Sequence, residues 1–260
     1  MLEFLNMATH DSSVDLKGIA AGASETVLTF AQEIIPRIGT QLESLAITGS
    51  CLTGDYIPGR SDINSLLVLR EITVAMLDKL AYMGKRFGKK HVRAPLIMTQ
   101  EYIDRSLDVF PIEFLDIKLI HKTIYGKELF VDLAIDKSML RLQCERDLKA
   151  KLIKLRQGYL SCAGNKKDLT LLLFDTFPGF FPLFRAMLYI AGINKALPIL
   201  KMDVLTDIES SFAVSIDVLR EIHSLKASKK VSLSHEQANR LFNEVYRITH
   251  EFSLKMDRIS

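Results

Sequence analysis

One stretch constrains the fold of this chain more than any other: two short apolar runs separated by a loop rich in glycine and polar residues. The first run leads into Gly49-Ser50, and the second begins at Ile63, after a loop that contains two glycines and a proline. Apolar runs bounded in this way are typical of buried strands. The pattern therefore predicts a strand, a Gly-Ser turn, a short helix or loop and a second strand, with Asp62 at the entrance of that second strand.

The chemistry of this predicted turn favours a phosphorylated ligand. A Gly-Ser turn leaves backbone N–H groups and a hydroxyl available for phosphate oxygens. The carboxylate of Asp62 would face the turn across the edge of the sheet, where it could hold Mg²⁺ on the same phosphates. The second half of the chain is more basic than the first, which suits a polyanion such as a nucleoside triphosphate.

The segments Gly49-Ser50, Gly54 and Gly59-Arg60-Ser61-Asp62-Ile63-Asn64 resemble the signature of the polymerase-beta-like nucleotidyltransferase superfamily. In that signature Gly-Ser and a later glycine precede Ser-Asp-x-Asp at the start of a strand. The resemblance implies an α+β fold, in which a small mixed β-sheet domain with flanking helices is followed by an all-α helical bundle. It also implies transfer of a nucleoside monophosphate from a triphosphate with pyrophosphate leaving, assisted by two Mg²⁺ ions on three carboxylates.

The resemblance assigns a role to each residue of the predicted site. Gly49 and Ser50 would bind the phosphates of the nucleotide, and the metal-binding and catalytic residues would be Asp62, Asn64 and Glu113. Arg60 and Ser61 beside them are further candidate phosphate contacts, and solvent-exposed ion pairing is the alternative for Arg60.

This chain departs from the family at position 64, where the second aspartate is replaced by Asn64. Asparagine has the shape of aspartate but no charge, and its carbonyl oxygen can still coordinate a cation. Removal of one of three negative charges should weaken the catalytic metal most. We therefore expect transfer to suffer more than nucleotide binding.

The third carboxylate is expected in Phe110–Ile117, which the sequence predicts to be a strand that begins near a proline. Side chains alternate along a strand, so Glu113 and Asp116 would lie on opposite faces, and either could meet Asp62. The segment Phe110–Phe114 resembles the Pro-x-Glu strand of aminoglycoside-type nucleotidyltransferases. This resemblance favours Glu113, with Asp116 as the alternative.

Apolar spacing divides the chain into two predicted domains. From about Ser138 onward the strand pattern disappears and about five helices are predicted. One begins at Ser234, where Gln237 completes a capping box. We expect a nucleotidyltransferase-like domain over residues 14–137 and a helical bundle over residues 138–260, and a helical domain also follows the catalytic one in aminoglycoside-type enzymes.

Composition limits the compartment and the partners. The three cysteines form no Cys-x-x-Cys motif and no Cys/His cluster, which indicates reduced thiols and a cytoplasmic location. The residues 1–13, expected to be irregular, do not have the pattern of a secretory signal.

The apolar stretch Leu169–Ile190 contains two charges and two prolines, so a kinked buried helix is predicted and not a membrane span. The basic run 85–93 has only Phe87 as an aromatic, which favours a helix end with a solvated loop over a nucleic-acid surface.

Three hypotheses remain at this level. The first is a protein of this fold that binds a Mg²⁺–nucleoside triphosphate but transfers poorly. The second is an active enzyme that moves a nucleoside monophosphate such as AMP to the hydroxyl of a small molecule. The third is a helical protein-interaction module that uses the sheet as a scaffold. The sequence leaves open the base, the acceptor and the oligomeric state, a homo-oligomer included.

Overall fold

The computed structural model describes residues 14–192, 196–228 and 230–259, so the N-terminal segment expected to be irregular lies outside the described residues. Within these ranges the chain forms ten α-helices and one four-stranded sheet, and it divides into two compact units. The first unit holds the described residues up to Ser106 together with Ile117–Leu133, and the second holds Leu107–Asp116 and the residues from Ala134 onward. The predicted α+β fold is confirmed. The predicted domain boundaries, 14–137 and 138–260, stay a prediction.

The first unit contains the sheet and the helices around it. Its elements are α1 (Ala21–Ile38), β1 (Leu42–Thr48), β2 (Asn64–Leu69), α2 (Val74–Gly88), β3 (Leu96–Met98), α3 (Gln100–Ser106) and β4 (His121–Gly126), with α4 (Pro111–Leu119) between α3 and β4 along the chain.

The sheet is mixed, as predicted. The strand order is β3-β2-β1-β4, with β1 antiparallel to β2 and β4 and with β3 parallel to β2. The central strand β1 is paired on both sides, and its residues Leu45 and Ile47 are fully buried. Helices α1 and α2 share the same core, where the rings of Phe30 and Phe87 meet edge to face at 5.4 Å. Burial of such large side chains stabilises the sheet that carries the predicted site.

The second unit is helical. It contains α5 (Lys137–Cys162), α6 (Lys166–Thr176), α7 (Phe180–Ile190), α8 (Lys201–Phe212), α9 (Asp217–Ala227) and α10 (His235–Asp257). The predicted capping box is present at the start of α10, where Ser234 and Gln237 hydrogen-bond each other's backbone N–H. Aromatic side chains of two helices fill the core of this unit, with the ring of Phe184 4.9 Å from that of Phe252.

The segment Lys166–Ile190 is long and apolar enough to cross a membrane by length and composition alone, but 56% of its most apolar window is buried inside the structure. A 3-10 turn at Phe177–Gly179 interrupts it. Proline lacks the N–H that a continuous helix needs, so Pro178 fits the turn. These are the features of two core helices, in line with the kinked buried helix that the sequence predicts.

The strand predicted over Phe110–Ile117 is wrong, because Pro111–Ile117 belong to helix α4. The run is apolar enough to suit either a buried strand or a buried helix, and its spacing does not separate the two. Pro111 is the first helical residue, a position where proline is favoured because its missing N–H is not needed. The acidic Glu113 in the first turn also suits the positive end of the helix dipole.

A distant side chain completes the start of α4. Gln143 of α5 is almost fully buried, and its Oε1 accepts a hydrogen bond from the N–H of Ile112 at 2.8 Å. Its Nε2 donates to Oε2 of Glu113, also at 2.8 Å. One amide thus satisfies both a backbone donor and a carboxylate, and this contact stabilises the first turn of α4.

Gln143→Leu should lower the free energy of unfolding by about 2–3 kcal/mol, because it leaves the buried N–H of Ile112 without an acceptor and Glu113 without its donor. Urea denaturation followed by circular dichroism measures this loss. The control is Gln157→Leu, an exposed glutamine on the same helix, which should change stability by less than about 0.5 kcal/mol. Equal effects of the two substitutions would contradict this role of Gln143.

Candidate functional site

The predicted turn after β1 is present as a 3-10 helix over Gly49–Leu52. Gly49 has a φ of 80°, which glycine adopts without strain. A Cβ at this position would lie 3.2 Å from Nδ2 of Asn64, the residue that begins β2. The register of the strands explains this contact, because Thr48 pairs with Asn64. The turn and position 64 therefore form one continuous surface.

Alternation along the chain places Asp62 on the same surface as Asn64. Ile63 between them is buried in the core, so its two neighbours point to the opposite side. A parallel bridge to Val92 holds Ile63 in place, with the N–H of Ile63 donating to the oxygen of His91 at 2.8 Å. Asp62 therefore lies at the entrance of β2, as the sequence predicts.

Arg93, which the sequence does not single out, contacts Asp62 directly. The Nε of Arg93 donates to Oδ2 of Asp62 at 2.7 Å, and the side chains are 70% and 35% exposed. Arg93 belongs to the basic run for which the sequence favours a helix end and a solvated loop. The signal available in the sequence was the apolar residue Val92 next to it. An apolar residue followed by a basic one is compatible with a strand, in which Val92 and Arg93 would point to opposite sides.

Other polar residues of the loop shape its backbone. The Oγ of Ser61 accepts from the N–H of Ile57 at 3.0 Å, so this hydroxyl closes the turn that precedes Asp62. Thr53 donates to the oxygen of Ser50 at 3.2 Å and accepts from the N–H of Asp55 at the same distance. The structure thus brings Gly49 and Ser50 next to the start of β2, with the exposed Arg60 in the loop between them.

Cys51 lies beneath the turn and is fully buried. Burial raises the pKa of its thiol to about 11, although backbone N–H groups, including that of Asn64, act in the opposite direction. A thiol with this pKa is neutral at physiological pH, and the thiolate is the form that attacks electrophiles. Cys51 therefore packs against the turn from below as a neutral thiol.

The residues beside the turn do not fit a resident two-metal centre. In the part of the chain that the structure describes, no group of three or more His, Cys, Asp or Glu side chains is placed to hold a metal. Strand β3 runs next to β2 and consists of Leu96, Ile97 and Met98, so it adds no carboxylate. Asp62 is paired with Arg93, and the amide of Asn64 is neutral. This donor set offers too little negative charge for two divalent cations.

Glu113 and Asp116 both have partners inside the second unit. They lie three residues apart on α4 and thus on one helix face, not on opposite faces of a strand. Glu113 is bound by Gln143, and Asp116 is paired with the buried Arg185. Burial raises the pKa of Asp116, which Arg185 partly offsets. Glu113 as the third carboxylate, with Asp116 as its alternative, stays a prediction.

The mixed sheet with its flanking helices and the helical second unit define the nucleotidyltransferase-like α+β fold. No family model matches this chain, and no curated protein is significantly similar to it in sequence. Among solved structures, the chain is similar to spectinomycin adenyltransferase AAD(9) from Enterococcus faecialis, crystallised with ATP and spectinomycin. The TM-score is 0.52 at 14% identity, and the match covers 87% of this chain and 99% of that one.

A buried histidine supports the strand on the other side of β1. His121 pairs with Thr48 in the register of β1 and β4. Its Nδ1 lies 2.8 Å from the oxygen of Ile117, and its Nε2 lies 2.9 Å from Oε1 of Glu128. A carbonyl oxygen only accepts, so Nδ1 carries a proton, and Nε2 faces a carboxylate. With both nitrogens engaged in this way, His121 is a structural residue.

The contact with His121 makes stability depend on the ionisation of Glu128. Burial opposes ionisation, but hydrogen bonds from the N–H of Phe130 and from His121 hold the pKa of Glu128 below its usual value. The stabilisation is therefore present above the usual pKa of about 4.5 and is lost as the pH falls through the lower folded-state value.

Glu128→Gln should destabilise the protein near neutral pH by on the order of 1 kcal/mol, since Glu128 is partly exposed. The difference from the wild type should shrink as the pH falls below about 4.5, because protonated glutamate resembles glutamine. Urea denaturation at several pH values measures it, with the exposed Glu71→Gln as control. A difference that is constant with pH would contradict the assignment.

Proposed function

We propose that this protein binds a nucleoside triphosphate at the Gly49–Leu52 turn and is impaired in nucleotidyl transfer. The observation that carries the proposal is the surface formed by this turn, Asn64 and the Arg93-paired Asp62. The fold is shared with an adenyltransferase that was crystallised with ATP. Gly49 and Ser50 are the proposed phosphate contacts, and further contacts come from the Arg60-Ser61 segment.

The charges at this surface favour binding over transfer. The transfer scheme implied by the sequence resemblance stabilises the reacting phosphate with two Mg²⁺ ions, and such preorganised charge is usually the largest catalytic contribution. Among the described residues of β2 and β3 and the two residues immediately before each strand, only Asp62 carries a carboxylate. This carboxylate is ion-paired with Arg93. Triphosphate oxygens bind Mg²⁺ by themselves, so the expected cofactor would arrive as part of the ligand.

A second candidate function is active transfer of a nucleoside monophosphate, such as AMP, to a small-molecule hydroxyl. The structural neighbour favours it, because that enzyme was crystallised with spectinomycin as well as ATP. In this case Glu113 would take the proton of the attacking hydroxyl, and Asp62 and the carbonyl oxygen of Asn64 would meet the metal. The two candidates differ in turnover and agree in nucleotide binding. A helical interaction module, by contrast, would show no response to any nucleotide.

Binding of ATP with Mg²⁺ tests the shared part of the proposal by calorimetric titration. Gly49→Ala should weaken binding about tenfold or more, because its Cβ displaces Asn64 and its positive φ strains the turn. Gly39→Ala is the matched control, since Gly39 also has a positive φ and a Cβ added there would have no atom within 4 Å. Both variants should lose about 1–2 kcal/mol of stability. Absence of binding by the wild type would refute the proposal.

Release of pyrophosphate from ATP, measured with an added small-molecule alcohol that can accept the AMP, separates the two candidates. Impaired transfer predicts a wild-type rate near the uncatalysed background and a rise of about tenfold or more in Asn64→Asp, because the added charge restores part of the metal affinity. Asp62→Ala in the Asn64→Asp background should abolish the gain. Wild-type turnover that is abolished in Asp62→Ala and falls in Glu113→Gln would instead establish the active transferase.

A further inference from the structure

We propose that Arg93, and not a divalent cation, supplies the positive charge that balances Asp62 and binds the phosphates of the nucleotide, so that nucleotide binding at this turn does not require Mg²⁺. This inference rests on the proposed function and adds to it the group that binds the phosphates. It starts from the disagreement between the metal centre that the sequence resemblance implies and the side chains found beside the turn.

The main chain fixes Arg93 beside the strand entrance. Its N–H donates to the oxygen of Ile63 at 3.0 Å, and the N–H of Ile63 donates to His91 at 2.8 Å. Two backbone hydrogen bonds therefore attach this short segment to the entrance of β2. Since Ile63 is followed by Asn64 and preceded by Asp62, the arginine is held next to both polar residues of the surface.

The guanidinium has the donors that a phosphate needs. Arginine carries five N–H donors in one plane, and the bond from Nε to Asp62 uses one of them. The planar group matches the geometry of phosphate oxygens and can bind two of them at once. With 70% of the side chain of Arg93 exposed, this group is accessible to a ligand from solvent.

The competition between Arg93 and Mg²⁺ depends on position 64. Mg²⁺ loses its water reluctantly and is held in proteins mainly by carboxylates. A single carboxylate beside a neutral amide is a weak site, whereas the arginine is attached to the same sheet and so is always present at high effective concentration. With Asn64 in place, Asp62 is therefore paired with the arginine and not with a metal ion. A second carboxylate at position 64 would shift the balance towards the metal.

Calorimetric titration of the full chain with ATP, in EDTA and in Mg²⁺, tests the inference. The wild type should bind with dissociation constants that agree within about threefold in the two buffers. Arg93→Gln should weaken binding in EDTA about tenfold or more and make the remaining binding depend on Mg²⁺, because Asp62 is then free for the ion. Arg93→Lys should lose less, since it keeps the charge but not the planar donors.

Arg70→Gln is the matched control, because Arg70 is exposed immediately after the other end of β2. It should bind ATP as the wild type does in both buffers. Thermal unfolding shows whether each variant is folded. The comparison of EDTA with Mg²⁺ for the wild type tests the inference even if a variant fails to fold.

The outcomes separate this inference from the proposed function. Binding of ATP by the wild type in Mg²⁺ but not in EDTA would overturn the inference and leave the proposed function standing. The inference would also be overturned if a folded Arg93→Gln variant bound ATP in EDTA as tightly as the wild type does. Absence of binding in both buffers would refute the proposed function itself, and the inference with it.

Discussion

Hydrogen bonding between β1 and β2 places Thr48 opposite Asn64, and the contact between the Gly49 turn and position 64 depends on that register. A shift by one residue would turn Asn64 into the core and bring Ile63 to the surface, because strand side chains alternate. The burial of Ile63 therefore fixes the orientation of its polar neighbours. The same register brings the amide of Asn64 against Gly49, where a larger residue would not fit without displacement.

Charge balance gives this surface a different character from a two-metal centre. Asparagine replaces a carboxylate at position 64, and the guanidinium of Arg93 neutralises Asp62. The surface thus combines donors of the turn, an amide and an arginine, all of which suit an anion. Binding of an anion and transfer of a phosphoryl group place different demands on a site, because transfer also needs concentrated positive charge at the reacting phosphorus.

Local patterns are sufficient to predict the two strands and the turn at the centre of the first unit. The apolar runs and the Gly-Ser turn identify β1, β2 and the entrance at Asp62, because their signals lie within about 25 residues of sequence. Asn64 can likewise be recognised from the motif alone. The helical character of the chain after Ser138 is also predictable. About five helices are expected there and six are present, because the turn Phe177–Gly179 divides one of the predicted helices into α6 and α7.

The errors concern contacts between residues far apart in sequence. The segment that contains Glu113 is a helix whose first turn is stabilised by Gln143, about thirty residues later in the chain. The role of Arg93 is hidden in the sequence because its contact with Asp62 depends on the bridge between Ile63 and Val92. Such pairings depend on tertiary structure, which overrides local propensity, and a single sequence does not contain them as a pattern.

The buried thiol beneath the turn makes the protein suitable for a chemical probe of its own motion. Cys51 has no exposed surface and a raised pKa, so alkylating reagents reach it only when the turn opens. The rate of alkylation at Cys51, followed by peptide mass spectrometry to distinguish it from Cys144 and Cys162, therefore reports how often this local segment separates from the sheet. A ligand seated on the turn would slow that reaction without touching the sulfur.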